Sequence, residues 1–500
     1  MTAMLSEPAP AVTPARVATT SLALKEARLL LGTSTLWLGV GLAVALCTAW
    51  GWTTEPRWDT FTANSGMASL VLAGFLVLIG HLAASRDHRH GATDSARTLP
   101  ASARRRTVAL LALIPTAAAA AALAVGAELV LLMPAWPAGA FDPWLLTAAV
   151  VIPMVGAGLG VAVGSWLPST PSGPLTLFGV AAVLALLPVL GSSAGALSWL
   201  LFPVVIDENV APEIPRPTGW HLVYLIALLV VVTAVAVLRY WRLVAAVAVV
   251  LAVVVAVVAV RRQQAERLPI TPDTVAAYLD ESAQQCEVRG SVTYCALHGY
   301  GRWISLWQGA VEPIVRALPP NVTNLPVVRQ GSGPATSVVV DQHWGRHGTW
   351  ARDSRLDLSA EYIRVLLDMP EQLAGKPGPG SLPERNRAVL PKGSMELSTG
   401  PRCSGAGQLR TVMALWLLAQ SDTDGRALLG DREKLRFGRV DFGQAEIEAA
   451  RRLLDAPRGR VEALLNEKWA LLRSPAPAGD ALAAFGVAEL PVSSGGSACQ

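Results

Sequence analysis

The stretch from Leu222 to Val260 constrains this chain more than any other. It reads LVYLIALLVVVTAVAVL, then RYWR, then LVAAVAVVLAVVVAVVAV, and runs into Arg261–Arg262. One crossing of a hydrocarbon core takes about 20 helical residues, so the stretch is too long for one. Arg239, Tyr240, Trp241 and Arg242 divide it, as expected of a tight membrane hairpin with its turn at the interface. The chain before this run is largely hydrophobic and the chain after it is not. The expected architecture is a polytopic membrane unit with a long water-soluble domain hung from its last helix.

Composition agrees once the two halves are separated. Hydrophobic residues make up 52% of the chain and charged residues 16%, against about 25% charged in average soluble proteins. Most of that charge lies beyond Val260. The net charge of +4 is too small to argue for a nucleic-acid partner, and membrane topology explains the Arg clusters better. Abundant Ala, Val, Leu, Arg and Gly suggest a GC-rich bacterium. The first residues, MTAMLSEPAPAVTPARVATT, are polar and Pro/Ala-rich without an apolar core, and read as a short disordered cytoplasmic tail.

Seven crossings are expected, near Thr35–Trp52, Met67–Ala84, Thr107–Met133, Trp144–Trp166, Leu175–Leu190, Leu222–Leu238 and Leu243–Val260. Trp37, Trp50, Trp52, Trp136, Trp144, Trp166, Trp220, Tyr240 and Trp241 mark their ends, as indole and phenol rings favour the headgroup level. Orientation follows from Lys and Arg in short loops. The loop after the second crossing carries Arg86, Arg89, Arg97, Arg104, Arg105 and Arg106, which assigns it to the cytoplasm. The N-terminus is then cytoplasmic, the acidic loop Val205–Thr218 lies outside, and so does everything after the seventh crossing. Arg261 and Arg262 run against this rule, which long translocated domains disregard.

Cysteine placement bears on the same topology. Cys286 and Cys295 have eight residues between them in QQCEVRGSVTYC, around a turn at Arg289–Gly290. A hairpin closed by a disulfide fits that spacing, and disulfides persist mainly outside the cytoplasm. Cys403 and Cys499 form a second candidate pair, and Cys47 reads as packing inside the first helix. The alternatives are four free thiols or a metal site.

The apolar segments carry almost no ionisable groups, which argues against a proton- or ion-coupled transporter. His81 sits near the inner end of the second segment and Glu128 near the outer end of the third. Glu128 has two readings, snorkelling toward the outer interface or a part in an outer gate. Gly156, Gly160 and Gly164 recur at four-residue spacing, which permits close helix packing within the bundle or at a homodimer seam. After Pro188 and the GSSAG of Gly191–Gly195, the apolar stretch Leu197–Val205 is too short to cross, and reads as a broken or re-entrant helix.

Taken together, these features resemble an ATP-binding-cassette (ABC) permease of the type-2 exporter family. LALKEARLLL at Leu22–Leu31 is similar to the family's amphipathic helix before the first crossing. ATDSARTLPASARRRT (Ala92–Thr107) is similar to its basic cytoplasmic loop, and Ala194–Val205 to its re-entrant segment. The resemblance covers Leu22 to Leu238. The seventh helix and the domain beyond it depart from the six-helix pattern and look like an appendage of some actinobacterial permeases, where a segment such as CEVRGSVTYCALHGYGRWISLW comes after the last helix. The resemblance implies a separate ATPase subunit bound beneath a coupling loop that includes Thr93, Arg97, Leu99, Pro100, Arg104, Arg105 and Arg106. For the three consecutive Arg, the alternative is anchoring to lipid phosphates. It also implies a paired arrangement with a second copy or a second permease. No GxxxxGK[ST] phosphate loop occurs, since Gly331–Gly333 lack a following Lys.

In the last half, helices are expected from within Leu268–Gln285 and over Arg302–Leu318, Ser359–Leu373, Gln408–Gln420, Gln444–Leu454 and Val461–Leu472. A strand is expected at Thr336–Val340 and a flexible break at Gly375–Pro383. His343 and His347 have the spacing of two metal ligands on a helix, with Asp341 near. Gly345 and Gly348 weaken that helix, and there is no HExxH, so a surface loop is the preferred reading. No nucleophile elbow accompanies the serines. The expected fold is therefore an all-α polytopic bundle, a six-helix exporter core plus a seventh helix, succeeded by an α+β soluble domain. Residues 1–33 form the tail and amphipathic helix, 34–260 the transmembrane permease domain and 261–500 the extracytoplasmic domain. The expected function is a permease of the bacterial plasma membrane, without its own enzyme site, cofactor or metal. The competing reading is a membrane-anchored extracytoplasmic sensing, binding or hydrolytic protein.

Overall fold

The computed structural model describes residues 15–92, 103–132, 134–194, 200–205, 214–268, 271–331, 334, 336–340, 343–369, 403–435, 437, 440–487, 490–491 and 498–499. Its first half is helical: α1 (Ala15–Leu31), α2 (Ser34–Gly51), α3 (Trp58–Ala84), α4 (Ala103–Leu110), α5 (Leu113–Leu132), α6 (Pro143–Trp166), α7 (Ser172–Ala194), α8 (Thr218–Val237) and α9 (Arg242–Glu266). Six spans are long and apolar enough to cross a membrane: α2, α3, α4–α5 together, α6, α8 and α9. The expected fifth crossing is helical as α7, although its apolar span with described side chains, Ser172–Leu187, is shorter.

Several boundaries move for local physical reasons. The second crossing begins at Trp58 rather than Met67, because polar residues there are satisfied within the helix; Thr62 donates to the carbonyl of Trp58 at 2.9 Å. The third is broken between α4 and α5, where Leu111 and Ala112 donate three residues back to Val108 and Ala109. Pro115 explains the break, since it has no N–H for the carbonyl of Leu111 and its ring crowds that oxygen. The last helix runs through Arg261 and Arg262 to Glu266, where Trp220 on α8 donates to the Glu266 carboxylate at 3.0 Å.

Helices α3 and α6 form the central seam, flanked by α2, α5 and α8, while α9 packs chiefly on α8. Ala245, Ala252 and Ala259 are the small buried residues of α9, and its valines are exposed apart from the half-buried Val249 and the buried Val260. At the seam a Cβ on Gly156 would stand 2.6 Å from the carbonyl oxygen of Ala73. One on Gly164 would stand 2.7 Å from that of His81, and one on Gly160 would collide with that of Val77. The three glycines therefore face α3 of the same chain, where only a hydrogen fits.

The second half contains α10 (Pro272–Leu279), β1 (Gln284–Arg289), β2 (Val292–Leu297), α11 (Ile304–Ala317), β3 (Val328–Gln330), β4 (Val338–Val340), α12 (Gly348–Leu366), β5 (Cys403–Ser404), α13 (Leu409–Gln420), β6 (Val440–Asp441), α14 (Gln444–Asp455) and α15 (Arg458–Leu472). One sheet has the order β1-β2-β3-β4, with β1 antiparallel to β2 and the other pairs parallel. The amphipathic α11 crosses between β2 and β3, burying Trp307, Val311 and Ile314. Helix α13 is apolar but only 12 residues long, too short to cross a bilayer; it is buried on almost every side at the domain's centre. Both cysteine pairs are bonded: Cys286 faces Cys295 across β1–β2 with Cα atoms 4.0 Å apart, and Cys403 meets Cys499 at 4.9 Å.

Two expectations differ here. The strand is three residues, Val338–Val340, and α12 starts at Gly348 instead of Ser359. Its first turns escape apolar periodicity because they are polar, with Arg352 on Asp422 at 2.7 Å. The break expected at 375–383 lies outside the described residues.

Candidate functional site

Three places combine polar chemistry with position. The first is the end of the bundle where α1, the start of α4 and the α8–α9 turn meet. Glu26 of α1 is buried there and accepts from Arg86 at 2.7 Å, while Leu30, one turn later, packs on the bundle. Leu24 and Leu31 stay exposed. Asp87 accepts from Arg106 at 2.8 Å. The Arg104 guanidinium lies 4.1 Å from the centroid of the Trp241 ring, a cation–π geometry. Thr107 and Tyr240 bring their hydroxyls within 3.4 Å, and Arg105 is half-buried. Thr93, Arg97, Leu99 and Pro100 lie outside the described residues. The basic residues around that segment thus hold three separate parts of the chain together. Arg104–Trp241 joins two segments that the sequence marks by their own basic and aromatic residues, whereas nothing local in the sequence marks the acidic partners Glu26 and Asp87.

The second place is inside the bundle. Glu128 of α5 is 2% exposed, so it does not reach toward solvent. Ser65 of α3 donates to its carboxyl at 2.7 Å, and the Cys47 sulfur of α2 lies 3.7 Å from the Ser65 hydroxyl. Trp58, Phe61, Val125, Leu132 and Ala149 form an apolar cluster at the same end. Ser65 was invisible in the sequence, since a serine 63 residues away carries no periodic signal. Further along, the His221 Nε2 donates to the carbonyl of Pro203 at 2.9 Å and Tyr224 to that of Leu201 at 3.1 Å. Those two α8 side chains satisfy backbone oxygens of the short apolar stretch expected to re-enter; residues 195–199 of that stretch lie outside the described residues.

The third place is the junction between the bundle and the C-terminal domain. Glu55 donates its N–H to the carbonyl of Trp344 at 2.6 Å, and Arg346 returns one to Thr53 at 2.9 Å, so the loop after α2 pairs with the chain before α12. Gly139 donates to the carbonyl of Gly299 at 3.1 Å, and the Arg302 guanidinium caps the carbonyl of Trp136. Ala138 and Ile214, from the other two loops at this end, belong to the domain's own hydrophobic core. All three loops at this end therefore touch the domain, and Arg86 and Arg104–Arg106 sit at the opposite end. Burial raises the carboxyl of Glu55, partly opposed by Arg346, His347 and Arg302. A cavity of about 220 Å³ remains in the junction, lined by Asp59, Ala140, Tyr278, Leu297, His298 and Tyr300. Asp59 is held there by Arg57 at 2.6 Å.

His343 and His347 precede α12 instead of sharing a helix, and Asp341 lies outside the described residues. Among the described residues no three His, Cys, Asp or Glu side chains group as metal ligands would. Comparison with protein-family models, with curated proteins and with solved structures finds no match for this chain.

Proposed function

We propose that the chain is the membrane permease subunit of an ABC transporter of the type-2 exporter class, using ATP hydrolysed by a separate subunit. One observation carries the reading: α1, the basic region ending at Arg104–Arg106 and the α8–α9 turn interlock at one bundle end, while the disulfide-bonded domain caps the other. A coupling surface must transmit force from a soluble motor to several helices, and ion pairs plus a cation–π contact between non-adjacent segments supply such a connection. The basic end is cytoplasmic in this reading, and the domain with its two disulfides lies outside. The broad apolar exposure of α7 suits either lipid or a second permease bundle.

The test is copurification. Leu99→Asp with Arg104→Asp should release a Walker-motif ATPase that copurifies with the native chain and abolish transport, while insertion stays normal. Retention of both ATPase and transport would remove the coupling role. Orientation is checked with an impermeant thiol reagent on intact cells, which should label a Cys at Ala211 and not one at Ala92.

The junction cavity favours a second reading, in which the helices hold a ligand-sensing domain and transport nothing. Absence of any copurifying ATPase would favour it.

A further inference from the structure

Six large aromatic side chains near the domain-facing end of the bundle stay open to the surroundings, and one of them does not belong to the bundle. Trp50, Trp52, Trp136, Phe141 and Trp144 are 44–53% exposed at the ends of α2, α5 and α6, where a headgroup layer would lie. Trp350 is 51% exposed but is the third residue of α12 in the C-terminal domain. The other tryptophans of that domain behave differently: Trp303, Trp307, Trp344 and Trp416 are buried and Trp469 is half-buried.

The height of Trp350 is fixed by its neighbours. The antiparallel pairing of 53–55 with 344–346 ties the chain before α12 to the end of α2. The His347 ring then lies 5.3 Å from that of Trp52. His347 is the residue before the first turn of α12 and Trp350 is the third within it, and the Trp350 carbonyl lies directly against Gly345, the residue that pairs with Thr54. Trp350 is therefore held at the end of the bundle where Trp52 lies, through Gly345 and Thr54.

We infer that the C-terminal domain is itself a membrane-surface element, with Trp350 inserted in the headgroup layer of the leaflet on the domain's side. The occupant of this surface is phospholipid, because the exposed indole continues a belt whose other members sit at the ends of helices long and apolar enough to cross a membrane. An indole has an apolar body and one N–H donor, which suits that layer better than water or hydrocarbon. The inference concerns one leaflet only and stands whether or not the chain transports anything.

The test uses the full-length chain in lipid nanodiscs, with Cys47→Ser to remove the one free thiol. Single cysteines replacing Trp350, Thr349, Trp52 or Leu471 carry an environment-sensitive fluorophore, and lipids spin-labelled at the headgroup act as quencher. Leu471 is exposed on α15 and serves as the water-facing control. Labels at 350 and 349 should be quenched to within about twofold of the label at 52, with a blue-shifted emission, while the label at 471 stays unquenched. Thr349→Cys leaves Trp350 in place, so a packing effect of losing the indole is detected separately. Quenching at 350 and 349 no stronger than at 471 would overturn the inference. So would shielding of both sites from lipid and aqueous quenchers alike, the signature of a protein partner over Trp350.

Discussion

Removing the two disulfides one at a time should destabilise the C-terminal domain by different amounts, in an order set by chain length. Cys286–Cys295 closes a separation of nine residues and Cys403–Cys499 one of 96. In the chain-entropy model the short loop is worth about 2.7 kcal/mol and the long one about 4.7 kcal/mol at 25 °C, so the difference is about 2 kcal/mol. The long bridge also holds the end of the chain in the fold. Gln408 and Arg410 donate to the Cys499 carbonyl at 2.9 and 2.7 Å, and the Cys499 N–H reaches Ser404 at 2.9 Å. Once the bridge is gone these bonds must hold the terminus alone. For a unit of this size 1 kcal/mol moves the midpoint by about 2–4 °C, so Cys403→Ser should lower it by about 10–18 °C and Cys286→Ser by about 5–10 °C. The assay is thermal unfolding of the full chain in nanodiscs, monitored by near-ultraviolet circular dichroism, with non-reducing mass spectrometry confirming the remaining bridge. Equal losses, or a larger loss for Cys286→Ser, would refute the loop-length argument. Recovery of all four thiols unpaired from native membranes would count against an oxidising location for the domain.

Two further outcomes are expected. Gly160→Ala should destabilise the bundle by about 1–3 kcal/mol, because its methyl group meets the backbone carbonyl of Val77 and neither helix can yield locally; a lowered midpoint for loss of the monodisperse peak on heating checks this. Glu55 is held above the usual glutamate range by burial, so contact between domain and bundle should be strongest below pH 4.5 and weaken as pH rises through the docked value. Hydrogen-exchange protection at the Arg346 amide, corrected for intrinsic rates, should show that slope in the native chain and lose it in Glu55→Gln.

The helices of the bundle were legible because apolar runs bounded by indoles and arginines have few other solutions. What lay beyond reach was whatever depends on backbone geometry or on distant pairing. Pro115 stood in plain view, yet the apolar run gave no sign that it divides the third crossing. The four-residue spacing of Gly156, Gly160 and Gly164 announced close packing without saying against what. Only the positions of Ala73, Val77 and His81 answer that. The hairpin of Cys286 and Cys295 was readable from its turn residues, since Gly290 adopts a positive φ of 63°. Docking of the domain onto the bundle was not readable at all. Much of it rests on N–H and carbonyl groups of Thr53, Glu55, Gly139, Gly299, Trp344 and Arg346, which every residue type but proline possesses in full.

Gln263 lies on α9, the helix that carries the C-terminal domain, and its side chain meets His221 Nδ1 at 3.2 Å on α8. The other ring nitrogen of His221 holds the Pro203 carbonyl. One imidazole is thus a rivet through three layers: the stalk of the domain, α8, and the short apolar stretch that precedes it. A stalk that rotates or slides must carry that stretch along or open one of these two polar contacts. A load applied to the domain is delivered, by this route, to the backbone at Pro203.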